Sequence, residues 1–348
     1  MPKDAINFVT NYIKPLALKT KSSAVSFFSI MIPIIIIVKI LQEFNSLNYL
    51  VYPFIPIMKL LDIPSIYALA WLVGILNNNY TAVSLVITFF KQYPLSYEQL
   101  SLLGLLCLLA HSLLIEAMLT YKLKIRIGWA IGIRLFSALI LAYIIHIICH
   151  SFNLLQEVVN NPILSTRTID TPPPTLLDLI HNHSLGTYFF IWLKSIGVWA
   201  IQSLKMIFSI LCIMFSVLLI VEILKDIKII YYIEKLAKPI FRLLHISKSN
   251  TSVTLICFFI GLSYGWGILK TESESNIFFK HDQSFKVITF LLLIHSVIED
   301  SLLFIVIGCS IIITVLARFI WALLLIYVLG KFILPKLSRR NKRKYLYY

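Results

Sequence analysis

Six stretches of about 20 apolar residues, near 22–43, 98–120, 127–150, 200–224, 285–306 and 309–332, decide the solvent in which this chain folds. Runs of that length cross the hydrocarbon of a bilayer as helices, since only a helix or a closed barrel satisfies its own backbone there. With 59% hydrophobic residues, 14% charged ones and a mean hydropathy of +0.87, the 348 residues lack the polar surface that a water-soluble domain needs. The sequence therefore predicts an all-α polytopic membrane protein. The net charge of +15 does not point to nucleic acid, because the basic residues sit in short clusters flanking the apolar runs. The five cysteines fall within or at the end of apolar segments with no CxxC pair, so neither a disulfide framework nor a zinc site is expected, and no metal or cofactor is implied. No cleavable leader is expected, since the first apolar run is too long for one and no A-x-A-like site follows it.

Two further apolar stretches, 64–91 and 250–270, are interrupted near their middles by NNN at 77–79 and GLSYGWG at 261–267. Lysine and arginine set the topology. Segments 1–21, 121–126, 225–248, 270–286 and 331–344 carry 23 of them, whereas 44–63, 91–98, 150–194 and 307–309 carry 4. With the first set cytoplasmic, both interrupted stretches begin and end on one side, either as re-entrant helical hairpins entering from opposite faces or by an even number of crossings, which satisfies the count equally. Both termini then lie inside.

The chain also repeats itself. IIVKIL (36–41) matches LIVEIL (219–224), and PIMKLLDI (56–63) matches PIFRLLHI (239–246), at a shift of 183; HSLLIE (111–116) matches HSVIED (295–300), and Arg134 matches Arg318, at a shift of 184. Each half holds three spans and one hairpin, and three is odd, so the second copy is expected to be inverted. The expected organisation is a cytoplasmic amphipathic N-terminus (1–21), a first inverted repeat (22–150), a periplasmic linker (151–194) containing TPPPT with a surface-lying helix over 176–193, a second inverted repeat (195–333) and a basic cytoplasmic tail (334–348). Such a chain belongs in the bacterial inner (cytoplasmic) membrane as a multi-pass protein.

Ionisable residues inside the spans are the candidate functional groups, since each is costly there and faces a bundle interior or wet cavity. His111 and His295 lie about midway along their spans as those bounds are drawn from apolar length. Glu116 and Arg134 stand nine residues either side of residue 125, and Asp300 and Arg318 nine either side of residue 309. In antiparallel helices that spacing predicts an acid–arginine pair in each half, either a structural clamp or a contact to cargo. Glu299 is expected to share a helical face with His295, and His111 to diverge from Glu116 by about 140°. At the hairpin tips Asn77, Asn78, Asn79, Ser263 and Tyr264 are expected to surround free backbone groups that protein, water or ligand must satisfy.

GLSYGWGIL (261–269), followed by IHSVIEDSLLFIVIG (294–308), resembles the second half of bacterial membrane proteins carrying the nucleoside-recognition or "Gate" domain, and AHSLLIEAML (110–119) resembles the first-half copy. The similarity covers most of residues 20–335 and implies an inner-membrane protein related to domains of concentrative nucleoside transporters and ferrous-iron permeases. The first half departs from the pattern, with NNNY at the tip in place of the glycines and Ala117 after Glu116 where Ser301 follows Asp300.

Interrupted helices in inverted repeats are the pattern of secondary transporters, whose sites lie near the midplane. The leading expectation is a secondary transporter of a small, partly anionic solute working by alternating access, with a proton or another ion as coupling partner. The same architecture also suits a flippase of a phosphorylated isoprenoid, with Arg134 and Arg318 on the phosphate, or a non-transporting scaffold or sensor. An enzyme is not expected: HExxH is missing. The partners are the bilayer and the cargo, with no nucleic acid, and a homodimer is an allowed assembly.

Overall fold

The computed structural model describes residues 32–41, 43–44, 46–90, 92–123, 125–164, 185–226 and 281–333, with Val25, Phe28, Ser29, Thr254, Leu255, Cys257, Phe258 and Phe259. Segment 1–21, TPPPT, the stretch with Ser263 and Tyr264, and the tail 334–348 lie outside the described residues. Among the described residues all regular structure is helical: α1 (Ala68–Leu76), α2 (Asn79–Phe89), α3 (Tyr97–Ala110), α4 (Leu113–Lys122), α5 (Ile127–Ser151), α6 (Leu185–Asp226), α7 (His281–Leu293), α8 (Val297–Val306) and α9 (Arg318–Val328), the last preceded by a π-helical turn, Ile312–Ala317.

Among the described residues five helical stretches are long and apolar enough to cross a membrane: Tyr97–Tyr121, Ile127–Ser151, Trp192–Ile213, Phe285–Val306 and Ile312–Phe332, with a bent pair, Tyr49–Leu60 and Ser65–Leu76, as a sixth candidate. Four of them fall within a few residues of the spans predicted from apolar length. Of the first predicted span the described part is the apolar helix Ile32–Leu41. The linker differs from expectation: residues 185–193 are the opening turns of the 42-residue α6, continuous with the span that follows.

α1 and α2 form a closed hairpin. At 9 and 11 residues each is too short to span a bilayer, and both return to one base, where Tyr67 Oη donates to the Tyr93 carbonyl (2.6 Å) and packs edge-on against Phe89. The helices press together where Gly74 meets Ala82; a Cβ on Gly74 stands 3.3 Å from the Ala82 methyl.

The bundle has a buried centre and a lipid-like rim. Of the most apolar windows, 72% is buried in both Tyr97–Tyr121 and Phe285–Val306, against 39% in both Ile127–Ser151 and Ile312–Phe332. α3 is leucine on nearly every face and starts from a capping box in which Ser96 and Gln99 hold each other's backbone N–H. α5 is two-faced. Ala130, Ala138 and Ala142 are buried on the same face as Arg134, the alanines letting neighbouring backbones approach, while Phe136, Ile140, Ile144 and Ile147 point outward.

Packing contacts cross between the halves. Trp129 on α5 donates to Thr289 on α7 (3.2 Å), and Ser101 on α3 accepts from the backbone N–H of Ser310 (2.8 Å) ahead of the π-helical turn. Gly308 makes the second contact feasible, because its φ of +111° turns the chain out of α8 in a region closed to other residues. Gly308→Ala is expected to cost about 1–3 kcal/mol through backbone strain and a 3.0 Å approach to Val159. Gly132→Ala, which meets open space in α5, is expected to be neutral or slightly stabilising; thermal unfolding of the two purified variants checks the opposite signs.

Candidate functional site

Both central spans are broken at the same dipeptide. α3 ends at His111, whose backbone turns extended (φ −68°, ψ 158°), and α4 begins after Ser112 in the left-handed region (φ 46°, ψ 33°). 184 residues later Ser296 takes the same turn between α7 and α8 (φ 49°, ψ 37°). A break inside a span frees carbonyls at one helix end and N–H groups at the next, and hydrocarbon satisfies neither.

The buried arginines satisfy the carbonyls. Arg134 donates through Nε to Leu109 and through Nη2 to His111, both at 2.7 Å, and through Nη1 to Glu116 Oε2 at 2.7 Å. Arg318 repeats the pattern at the 184-residue shift, through Nε to Leu293 (2.8 Å) and through Nη2 to His295 (3.5 Å). Both are fully buried. The guanidinium meets the negative end of the broken helix, and the acids Glu116, Glu299 and Asp300 stand in the first turn after the break, at the positive end of the next. The first break also docks on the hairpin tip: the Ser112 N–H donates to Gly74 (2.9 Å) and the Ser112 hydroxyl to the Asn77 carbonyl.

Side chains from the two breaks meet in one buried ring. His295 Nε2 lies 3.0 Å from Glu116 Oε1, and His111 Nε2 lies 3.4 Å from Asp300 Oδ2 and 3.5 Å from Glu116 Oε1. The imidazole centroids are 5.1 Å apart. Each histidine thus faces the acid of the other half. Their remaining nitrogens fix the tautomers: His111 Nδ1 contacts the Cys107 and Leu108 carbonyls (3.2 Å each), and His295 Nδ1 the Leu291 carbonyl (2.7 Å). A carbonyl only accepts, so Nδ1 carries the hydrogen in both rings and a neutral imidazole has only a lone pair at Nε2. A lone pair facing a carboxylate needs a positive bridge, which a proton or a metal cation supplies.

Two expectations change. Glu116 and Arg134 pair as predicted, but Asp300 sits against His111 and makes no ion pair with Arg318. Arg318 still docks on the carbonyls equivalent to those of Arg134, so its depth is as predicted; the Asp300 carboxylate, one carbon shorter than that of Glu116, turns to His111 instead. Among the described residues Arg318 Nη1 has no hydrogen-bond partner. The facial arithmetic also fails, because Ser296 breaks the helix between His295 and Glu299; Glu299 instead accepts from Tyr80 Oη on α2 (3.3 Å). The same break folds His111 towards Glu116.

At the first tip Asn78 caps α2 by accepting from the backbone N–H of Thr81 (3.0 Å), and Asn77 donates to the Thr81 hydroxyl (2.7 Å). Asn79 is buried, its side-chain amide without a partner among the described residues. Sequence reasoning missed both left-handed serines and a second, part-buried pair, Glu98 with His146 (2.8 Å). Glu98 stood in view as an acid next to an apolar run; nothing local marks the serines.

The chain is 26% identical over 300 residues to YvoD, an uncharacterized membrane protein of Bacillus subtilis (strain 168), covering 86% of this chain and 85% of that protein. No family model and no solved structure matches the chain. The protein is a membrane protein with several helices long and apolar enough to cross a bilayer.

Arg134→Gln strands Glu116 and two carbonyls in a dry interior and is expected to cost about 3–5 kcal/mol, the range for breaking one partner out of a buried ion pair. Arg318→Gln strands only carbonyls, for about 1–3 kcal/mol. The order of the two melting temperatures checks this.

Proposed function

We propose that the protein is a secondary transporter of the inner membrane, built from two inverted repeats of three spans and a re-entrant hairpin, which alternate access to cargo held where the two broken spans meet. The observation that carries this reading is the reciprocal bonding of the ring, with His295 on Glu116 and His111 on Asp300. A site assembled from both halves, at the one place where both central spans are interrupted, changes its geometry whenever one half moves against the other. A packing contact between uninterrupted helices needs no such construction.

The cargo differs from the partly anionic solute expected from the arginines. Arg134 commits an N–H from each of its three nitrogens to protein groups, which holds it behind the ring; of the two guanidiniums only Arg318 keeps a nitrogen, Nη1, without a partner among the described residues. The atoms that face into the ring are imidazole lone pairs and carboxylate oxygens, all acceptors. They favour a cation, as cargo or as coupling ion.

Uptake into proteoliposomes tests this, with a panel of monovalent and divalent cations, organic anions and nucleosides. A cation is expected to accumulate above empty liposomes, and Glu116→Gln and His295→Gln to lower its uptake by more than about tenfold, the effect of losing about 1.4 kcal/mol of binding. Uptake at the empty-liposome level for every solute with folded protein, or uptake untouched by both variants, contradicts the reading.

A further inference from the structure

The spacing of the ring is that of ligands around an ion more than that of hydrogen-bond partners. An N–H···O bond runs about 2.7–3.2 Å, which suits the 3.0 Å contact of His295 with Glu116 but not the 3.4 and 3.5 Å contacts of His111 with Asp300 and Glu116. Four ligands at about 2.0–2.1 Å from a tetrahedral centre stand about 3.3–3.4 Å apart, so all three separations lie within a few tenths of an ångström of a tetrahedron's edges. The donor atoms of His111, Glu116 and His295 lie within 4.8 Å of one another, and all three residues are buried.

The surroundings match as well. A metal-binding histidine presents one nitrogen to the ion and donates the other N–H to a carbonyl or carboxylate, which fixes ring and tautomer. Both histidines do this, through Leu291 and through Cys107 with Leu108. Glu116 is held from behind by Arg134 on Oε2, leaving Oε1 for the ring.

We propose that His111 Nε2, His295 Nε2, Glu116 Oε1 and Asp300 Oδ2 bind one divalent first-row transition-metal ion. Two imidazoles select such an ion over magnesium or calcium, which take oxygen ligands. The charge balance suits an ion that leaves again: Arg134 and Arg318 already offset the two carboxylates, so a dication is held less tightly than by two bare acids. The ion's role as cargo or coupling ion rests on the transport reading; its binding does not.

Cobalt(II) titrated into the purified full chain in detergent tests the site, because tetrahedral cobalt absorbs visible light far more strongly than cobalt in an octahedral water shell. One equivalent is expected to develop a tetrahedral-strength band and to raise the melting temperature with concentration. His295→Gln and Glu116→Gln are expected to weaken cobalt binding by more than about 100-fold, above the range for losing an outer-shell partner, while His146→Gln, at the other histidine–carboxylate pair, leaves it unchanged. X-ray absorption of the bound ion in the wild-type chain, which needs no variant to fold, is expected to show two imidazoles. No such band with folded wild-type protein, a band surviving both ring variants, or a spectrum without imidazole overturns the proposal. Cobalt bound in this way with no divalent cation crossing proteoliposomes leaves the metal site standing and removes its transport role.

Discussion

The structure depends on two guanidinium groups docked on the carbonyls of two broken helices. A helix interrupted inside a bilayer has no water to accept its orphan groups, so the break survives only where protein supplies the partners. Arg134 and Arg318 supply them from the neighbouring span, with hydrogen-bond geometry that repeats at a shift of 184 residues. An arginine suits the task better than a lysine, since its planar fork reaches two carbonyls and, in the first half, a carboxylate as well. Once the breaks are held, His111 and His295 stand at helix ends, free to turn towards each other. Two acids in the following turns close the ring.

Repetition brings the halves together without making them equal. Glu116 binds its own arginine, the other half's histidine and, at longer range, its own. Among the described residues Asp300 reaches only His111 within ion-pair distance. The single-carbon difference between Asp and Glu acts in this direction. A ring with one anchored acid and one less anchored acid has a natural place to open.

The spans were legible because length and apolarity are what a bilayer demands: 98–120, 127–150, 285–306 and 309–332 fall close to Tyr97–Tyr121, Ile127–Ser151, Phe285–Val306 and Ile312–Phe332. The first tip was legible in its asparagines, which cap and turn the chain. The breaks at His111–Ser112 and His295–Ser296 were not. Neither dipeptide holds glycine or proline, and a serine in the left-handed region carries strain of about 1–3 kcal/mol that is offset only by partners distant in the chain, Arg134 and Asn77 for the first break and Arg318 for the second. The six ionisable groups were all picked out as costly residues in apolar surroundings. Their pairing was legible only within the first half, because the contacts across the ring join residues about 180 positions apart, which hairpin arithmetic does not see.

The most direct test of the central claim, that the two breaks meet face to face, is a cross-link. In a background without the native cysteines, His111→Cys and His295→Cys are combined, with a protease site placed in 165–184 to separate the halves after oxidation. Ser101→Cys with Ser310→Cys, a second contact between the halves, serves as the reference pair. The account predicts that both pairs keep the two fragments joined until reductant is added. Fragments that separate for the histidine pair while the reference pair holds them together contradict it.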